Sequence, residues 1–286
     1  MNVMNDLSAV FPQDVVSGFK TVYPNDHRKL QHTLDQHPLL ELDALAKLAE
    51  SLPEKSIEYN KGALPIGVAA EDVPENGLTI GDTIRQIDSV ASWAVLKNIE
   101  QSSAYQKLLH DLLGELEETV QATTGKMLNA EGYIFVSSPD AVTPFHFDPE
   151  HNILMQIRGE KDFHVFPAGD PRFAAHQEHE RYHGGGHRNI PWQDGFKDEG
   201  EVVHLAPGDA IYVPVMAPHY VKNGSMPSIS LSITWRSRWS MDEANAYAFN
   251  KRLRKLGFPP SAPSRFPKGN RSRSVMERVL RRIVGR

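Results

Sequence analysis

The stretch TPFHFDPEHNILMQIRGEKDFHVF, residues 143–166, decides the reading of this chain. Its apolar residues alternate or run on in short blocks, the pattern of successive β-strands, with turn residues between the blocks. The same strands carry His146, Asp148, Asn152 and Lys161, where apolar side chains would be buried at far lower desolvation cost. His146 and Asp148 stand two apart, so on a strand both leave one face while Phe145 and Phe147 leave the other.

Working outward, period-two segments continue on both sides of that stretch. GYIFVSS, TPFHFD, NILMQI, KDFHVFP, EVVHLAP, AIYVP, HYVKNG and SISLSITW make about eight short strands over residues 125–240. Eight short antiparallel strands suit a double-sheet jelly roll or a barrel, which manage sheet edges by stacking or closure. Between the fourth and fifth strands lies an insertion, residues 168–200, containing HQEHERYHGGGH. Upstream, residues 1–124 read as a helical region. From Val15 to Leu52 the period is helical, residues 53–80 are irregular with short strands, and a second helical stretch runs from Ile80 to Thr123 with Leu108, Leu109, Leu112, Leu113 and Leu116 on one face. Downstream, residues 241–286 form C-terminal helices. The last places Val275, Met276, Val279, Leu280, Ile283 and Val284 on one stripe with arginines around it, an amphipathic basic helix expected to pair two copies into a homodimer or to pack on its own barrel. The expected fold is therefore mainly β with flanking helices: a double-stranded β-helix of jelly-roll type between helical additions.

Composition removes several classes of chemistry. The chain has no cysteine, so disulfides, thiolate zinc sites, iron–sulfur clusters and cysteine nucleophiles are all excluded, and any metal must be held by nitrogen and oxygen. A net charge of −5 argues against the broad basic field that nucleic-acid binding requires. The opening MNVMNDLSAVFPQD has neither the basic nor the apolar region of a secretory signal, and no window approaches the 18 apolar residues of a membrane span; a cytoplasmic protein is expected.

The His146-x-Asp148 pair supplies two arms of a metal site. The natural third arm is a histidine from a distant strand, and His219, after a Pro-Gly-Asp turn and a strand that should cross the same barrel, is the best candidate. Two histidines and a carboxylate on one face of an octahedral ion leave three positions open, the arrangement of non-haem Fe(II) oxygenases. Lys161 shares a face with Phe163 and Val165. If that face is the barrel interior, its ammonium needs an anion, which a bound dicarboxylate would supply. If the strand is flipped, Lys161 is exposed and His164 and Phe166 lie inside.

These residues together carry a family resemblance. The run from Thr143 to Pro167, followed by LAPGDAIYVPVMAPHYVKN and SISLSITW, resembles the JmjC domain of Fe(II)- and 2-oxoglutarate-dependent oxygenases. It is most similar to the small hydroxylase branch that includes the asparaginyl hydroxylase of hypoxia-inducible factor and bacterial cupin-like JmjC proteins. The resemblance covers residues 125–240. It implies a metal triad of His146, Asp148 and His219, with Fe(II), 2-oxoglutarate and O2 as metal, cosubstrate and oxidant. It further implies that Lys161 and Thr143 bind the far carboxylate of 2-oxoglutarate and that Asn152 lines its pocket. Thr234 falls where that hydroxylase has a pocket asparagine. The tyrosine that often assists the cosubstrate has no counterpart in ASWAVLKN, where Trp93 and Val95 stand instead.

The reaction this implies is hydroxylation of a protein or peptide side chain, or of a small molecule, coupled to decarboxylation of 2-oxoglutarate to succinate. Demethylation of N-methyl lysine uses the same oxidant and ranks lower, as no chromatin-reading module is evident. Two other readings keep the triad: a non-catalytic metal-binding cupin acting as a binding or regulatory protein, and a cupin isomerase or dioxygenase that needs no oxo acid. In the insertion, His176, His179, His183 and His187 are spaced for a second metal site, although a mobile lid or substrate loop is the plainer reading of a segment containing GGG. His164 and His204 read as packed or surface histidines.

Overall fold

A computed structural model describes residues 9–61 and 77–284 of the chain. Eleven strands form two antiparallel sheets among these residues. The larger has the order β1-β9-β6-β11-β4-β3-β2, built from β1 (Arg28–Gln31), β2 (Ile57–Lys61), β3 (Ser92–Lys97), β4 (Leu128–Ser137), β6 (His151–Arg158), β9 (Asp209–Val213) and β11 (Ser228–Arg236). The smaller has the order β5-β10-β7-β8, from β5 (Val142–His146), β7 (Lys161–Val165), β8 (Glu201–Leu205) and β10 (His219–Asn223). All eight strands expected from the period-two segments are present, as β4 to β11, and the fold is mainly β with flanking helices.

Two helical expectations need correction. The stretch from Val15 to Leu52 is not continuously helical: α1 (Gln13–Val22) and α2 (Leu42–Ser51) flank β1, which pairs antiparallel with β9. Residues 80–123 likewise divide into α3 (Ile80–Arg85), the strand β3, and α4 (Ser103–Thr124). β3 pairs with β4 over Trp93–Lys97, so cross-strand bonding overrides the local helical reading. Within the irregular segment expected over 53–80, residues 62–76 lie outside the described part.

Each sheet strand sends alternate residues to opposite sides, and the two sides of the large sheet differ in kind. Ile134, Val136, Ile153, Met155, Tyr212, Leu231, Ile233 and Trp235 pack under α1, α2 and α4 in the principal core. The other side faces the small sheet, where Leu154, Ile211 and Val213 meet Phe163, Val165, Leu205 and Val221. A third cluster, around Phe145, Phe147, Phe166 and Trp239, lies beneath the insertion. Both sides of β11 are thus buried, and its alternating Ser228, Ser230, Ser232 and Thr234 point into the space between the sheets rather than to solvent. Those hydroxyls are tolerated because they are bonded: Ser230 donates to Gln156 Oε1 at 2.7 Å and Ser232 to Asn152 Oδ1 at 2.6 Å.

The insertion contains regular structure. α5 (His176–His183) packs on α6 (Arg238–Lys255), with His179 stacked between Phe147 and Tyr247, and His176 and His183 also against Tyr247. These histidines form an aromatic stack, and the sole cluster with metal-ligand geometry among the described residues lies elsewhere. α7 (Arg271–Val284) packs on α6 through Ser274 and Glu277, both buried, while Val275, Met276, Val279 and Ile283 remain exposed. Its apolar stripe therefore does not pack on its own barrel. No described helix is long and apolar enough to cross a membrane.

Candidate metal centre

His146 ends β5 and His219 opens β10, and the two are direct partners in the antiparallel register. Asp148 follows two residues after His146, where the backbone turns towards β6. The pairing that the spacing suggested thus comes about: His146, Asp148 and His219 converge with one ligand atom each, all within 4.8 Å of one another. Asp148 Oδ2 lies 3.7 Å from Nε2 of each histidine. His146 Nδ1 bonds the carbonyl of Pro144 at 2.7 Å and His219 Nδ1 that of Ala217 at 3.0 Å. With Nδ1 donating, the Nε2 lone pairs face each other and Asp148, as metal-binding imidazoles require. Phe163 stacks on the His219 ring at 4.9 Å and limits its rotation.

The electrostatics favour cation binding. Burial, and then the neighbouring His219, push His146 down to about 3, so its imidazole is neutral at physiological pH. Burial alone would raise the Asp148 carboxyl, but coupling to the titrating His146, to the Arg188 guanidinium and to His219, with the hydrogen bond from Arg188, outweighs it and holds the group well below the ordinary carboxylate range. Two neutral nitrogens and one carboxylate of fixed geometry fit a divalent transition metal with open positions.

The cluster opens into a cavity of about 340 Å³ between the two sheets. Lys161, Thr143, Asn152 and Thr234 all line it. β7 alternates buried and half-buried residues with Lys161, Phe163 and Val165 on the buried side, so the lysine faces inward, and the flipped alternative for this strand is not what the fold adopts. Lys161 is 5% exposed, and burial pulls its pKa down to about 7, with no acidic neighbour among the described residues to raise it. Thr143 sits at the rim, exposed. Asn152 is turned by the Ser232 hydroxyl, and Thr234 Oγ1 donates to the carbonyl of Glu131 at 3.3 Å. His164 stacks on Tyr220, and His204 is exposed beside Asp162; neither lines the cavity.

Several cavity residues escaped the sequence reading. Tyr133, Phe135 and Ser137 share one face of β4 and form a wall with Trp93, Val95 and Lys97 of β3. Their parity was present in GYIFVSS, but nothing local marks that face as the inner one. Tyr133, opposite Lys97 in register, is the tyrosine of this wall, and its hydroxyl bonds Glu131. Arg188 came with no signal at all. It arrives from the insertion and donates from a guanidinium nitrogen (Nη1) to Asp148 Oδ1 at 2.8 Å.

Among solved structures, YcfD of Escherichia coli is similar, with a TM-score of 0.52 and 16% identity over 94% of this chain and 67% of the other. A second structure, of the ribosomal oxygenase YcfD from Escherichia coli in complex with cobalt and 2-oxoglutarate, matches with a TM-score of 0.50 and 15% identity, over 94% of this chain and 66% of that one. At such identity the likeness is one of fold, and this chain spans about two-thirds of the length of YcfD. A comparison with curated proteins finds no match. The family model of the cupin-like domain matches residues 76–241. Since that match takes in more than half of the chain, the protein belongs to the cupin-like family.

Proposed function

We propose that the protein is an Fe(II)- and 2-oxoglutarate-dependent oxygenase that hydroxylates a protein or peptide side chain, or a small molecule. One observation carries the reading: the cavity that holds the His146, Asp148 and His219 cluster also buries Lys161, with no counter-ion among the described residues. A buried ammonium without a partner is costly, and a dicarboxylate chelating a metal at the triad removes that cost. The similarity to YcfD, solved with cobalt and 2-oxoglutarate, supports the same choice.

In this reading His146 and His219 bind the metal through Nε2 and Asp148 through its carboxylate. Bound iron and 2-oxoglutarate together supply the oxidising chemistry, with the cosubstrate released as succinate. The rest is the work of this chain. Lys161 pairs with the far carboxylate of the oxo acid, and Thr143 adds a hydroxyl donor at the rim. Asn152, whose Oδ1 is already occupied by Ser232, turns its amide nitrogen to the cavity. Leu154, Phe163 and Val221 line the same space and keep water from the bound cosubstrate. The substrate enters between the insertion at His187–Asn189 and the β2–β3 wall at Glu58, Trp93 and Lys97. The exposed stripe of α7 supports a second copy docking there to form a homodimer.

Anaerobic addition of Fe(II) and then 2-oxoglutarate tests the reading. A weak visible charge-transfer band, followed by succinate when oxygen is admitted, is the expected result. Absence of both band and succinate overturns it.

A further inference from the structure

The two oxygens of Asp148 are in different hands. Oδ2 is equidistant from the two histidine Nε2 atoms at 3.7 Å, whereas Oδ1 accepts from Arg188 at 2.8 Å. Carboxylates bind metals through one oxygen or through both, and here a charge-assisted hydrogen bond occupies one of the two. Arg188 is itself held in place. Asn189 forms a β-bridge with His146, and Ile190 N–H donates to the carbonyl of Phe145 at 3.1 Å, so the segment lies along the free edge of β5. From α5, the Arg181 guanidinium grips the carbonyls of His187 at 2.9 Å and Asn189 at 2.6 Å, and its own Nε donates to Glu178 at 2.7 Å. The backbone on both sides of Arg188 is thus held in place.

We propose that Arg188 is a positioning residue: by occupying Oδ1 it leaves Oδ2 alone to bind the metal, so that the positions opposite the triad stay free for cosubstrate and oxygen. Because Arg188 belongs to the insertion, the coordination of the metal is coupled to the docking of that segment along β5. The inference rests on the reading of the cavity as a metal and 2-oxoglutarate site. It gives the insertion a defined task besides shaping the entrance.

The test uses the full chain loaded with Mn(II), comparing wild type, Arg188→Met and Arg181→Ala. The number of exchangeable waters on Mn(II), from water-proton relaxation, is read beside the dissociation constant for 2-oxoglutarate and the melting temperature of the metal-free protein. Arg188→Met frees Oδ1 to turn onto the metal. It is expected to lower the water number by one and to weaken 2-oxoglutarate binding by about 10- to 100-fold, the scale on which loss of an outer-shell partner lowers metal affinity or activity. Arg181→Ala, which leaves Arg188 in place but releases its neighbours, is expected to shift both readouts the same way and less. An unchanged water number in Arg188→Met, whether or not its melting temperature falls, overturns the proposal. Wild type that takes up no Mn(II) overturns both this inference and the functional reading. Wild type that binds Mn(II) but not 2-oxoglutarate overturns the functional reading alone, and the water number still decides the role of Arg188.

Discussion

Lys161 concentrates the chemistry of the cavity in one titration. Burial holds its folded-state pKa near 7, below the ordinary lysine value, so between pH 7 and that value the unfolded chain binds more protons than the folded one. Stability therefore rises with pH across that window, and the penalty is largest at pH 7 and below. Lys161→Met removes the penalty: the metal-free variant is expected to melt above wild type at pH 6–7, with the gap closing towards pH 10. The same substitution removes the counter-ion for the cosubstrate, so the dissociation constant for 2-oxoglutarate should rise at least about 100-fold while metal affinity holds, on the scale of a lost buried charge pair. In wild type only the protonated lysine pairs with the carboxylate. The dissociation constant should therefore climb above pH 7, by up to about tenfold per pH unit, in anaerobic titrations. His146→Ala is expected to lose metal and cosubstrate together. An unaltered 2-oxoglutarate affinity in Lys161→Met would remove the lysine from the site.

At the scale of elements, β11 shows how a strand serves the core and the cavity at once. Ile229, Leu231, Ile233 and Trp235 lie in the helix-covered core, while its serines and Thr234 face between the sheets. Ser232→Ala leaves the buried Oδ1 of Asn152 without its donor, an expected loss of about 1–3 kcal/mol in urea unfolding, with weaker cosubstrate binding as Asn152 is freed to turn. On the other side of the same sheet, α4 buries Leu112 completely. Leu112→Ala should cost about 2–5 kcal/mol by the same measurement and leave metal affinity unaltered, since the cavity created lies on the far side of the large sheet from the cluster. The period-two strands β4 to β11 were legible because each runs long enough to show its alternation. β1 was not: its four residues have one buried member, and its pairing with β9 is decided about 180 residues away in sequence.

For the molecule as a whole, α7 separates intrachain packing from assembly. Glu277 is buried and bonded to both Arg252 and Arg281, each at 2.8 Å, so it joins α7 to α6. Glu277→Ala removes the acceptor shared by Arg252 and Arg281, both of which keep access to water, and is expected to cost about 1 kcal/mol in urea unfolding. Val279, exposed on the opposite side, should tolerate Val279→Glu within about 0.5 kcal/mol. If two copies meet on this stripe, the same change should convert a dimer to a monomer in sedimentation velocity. A wild-type protein that sediments as a monomer removes the second copy from that surface.

The sequence by itself determined the succession of strands, the shared face of His146 and Asp148, and the parity of Lys161 with Phe163 and Val165. Those are local facts, since a backbone period assigns residues to faces from their spacing alone. Which face is inside is not local, because a strand has two equivalent sides until another layer covers one. Only the tertiary structure decided that Lys161 points into the cavity, that the serines of β11 are interior, and that the apolar stripe of α7 is left outside. Only it could bring Arg188, 40 residues along the chain, to the second oxygen of Asp148. That contact depends on an insertion folding back along the edge of β5, where backbone pairing rather than any residue pattern sets the position.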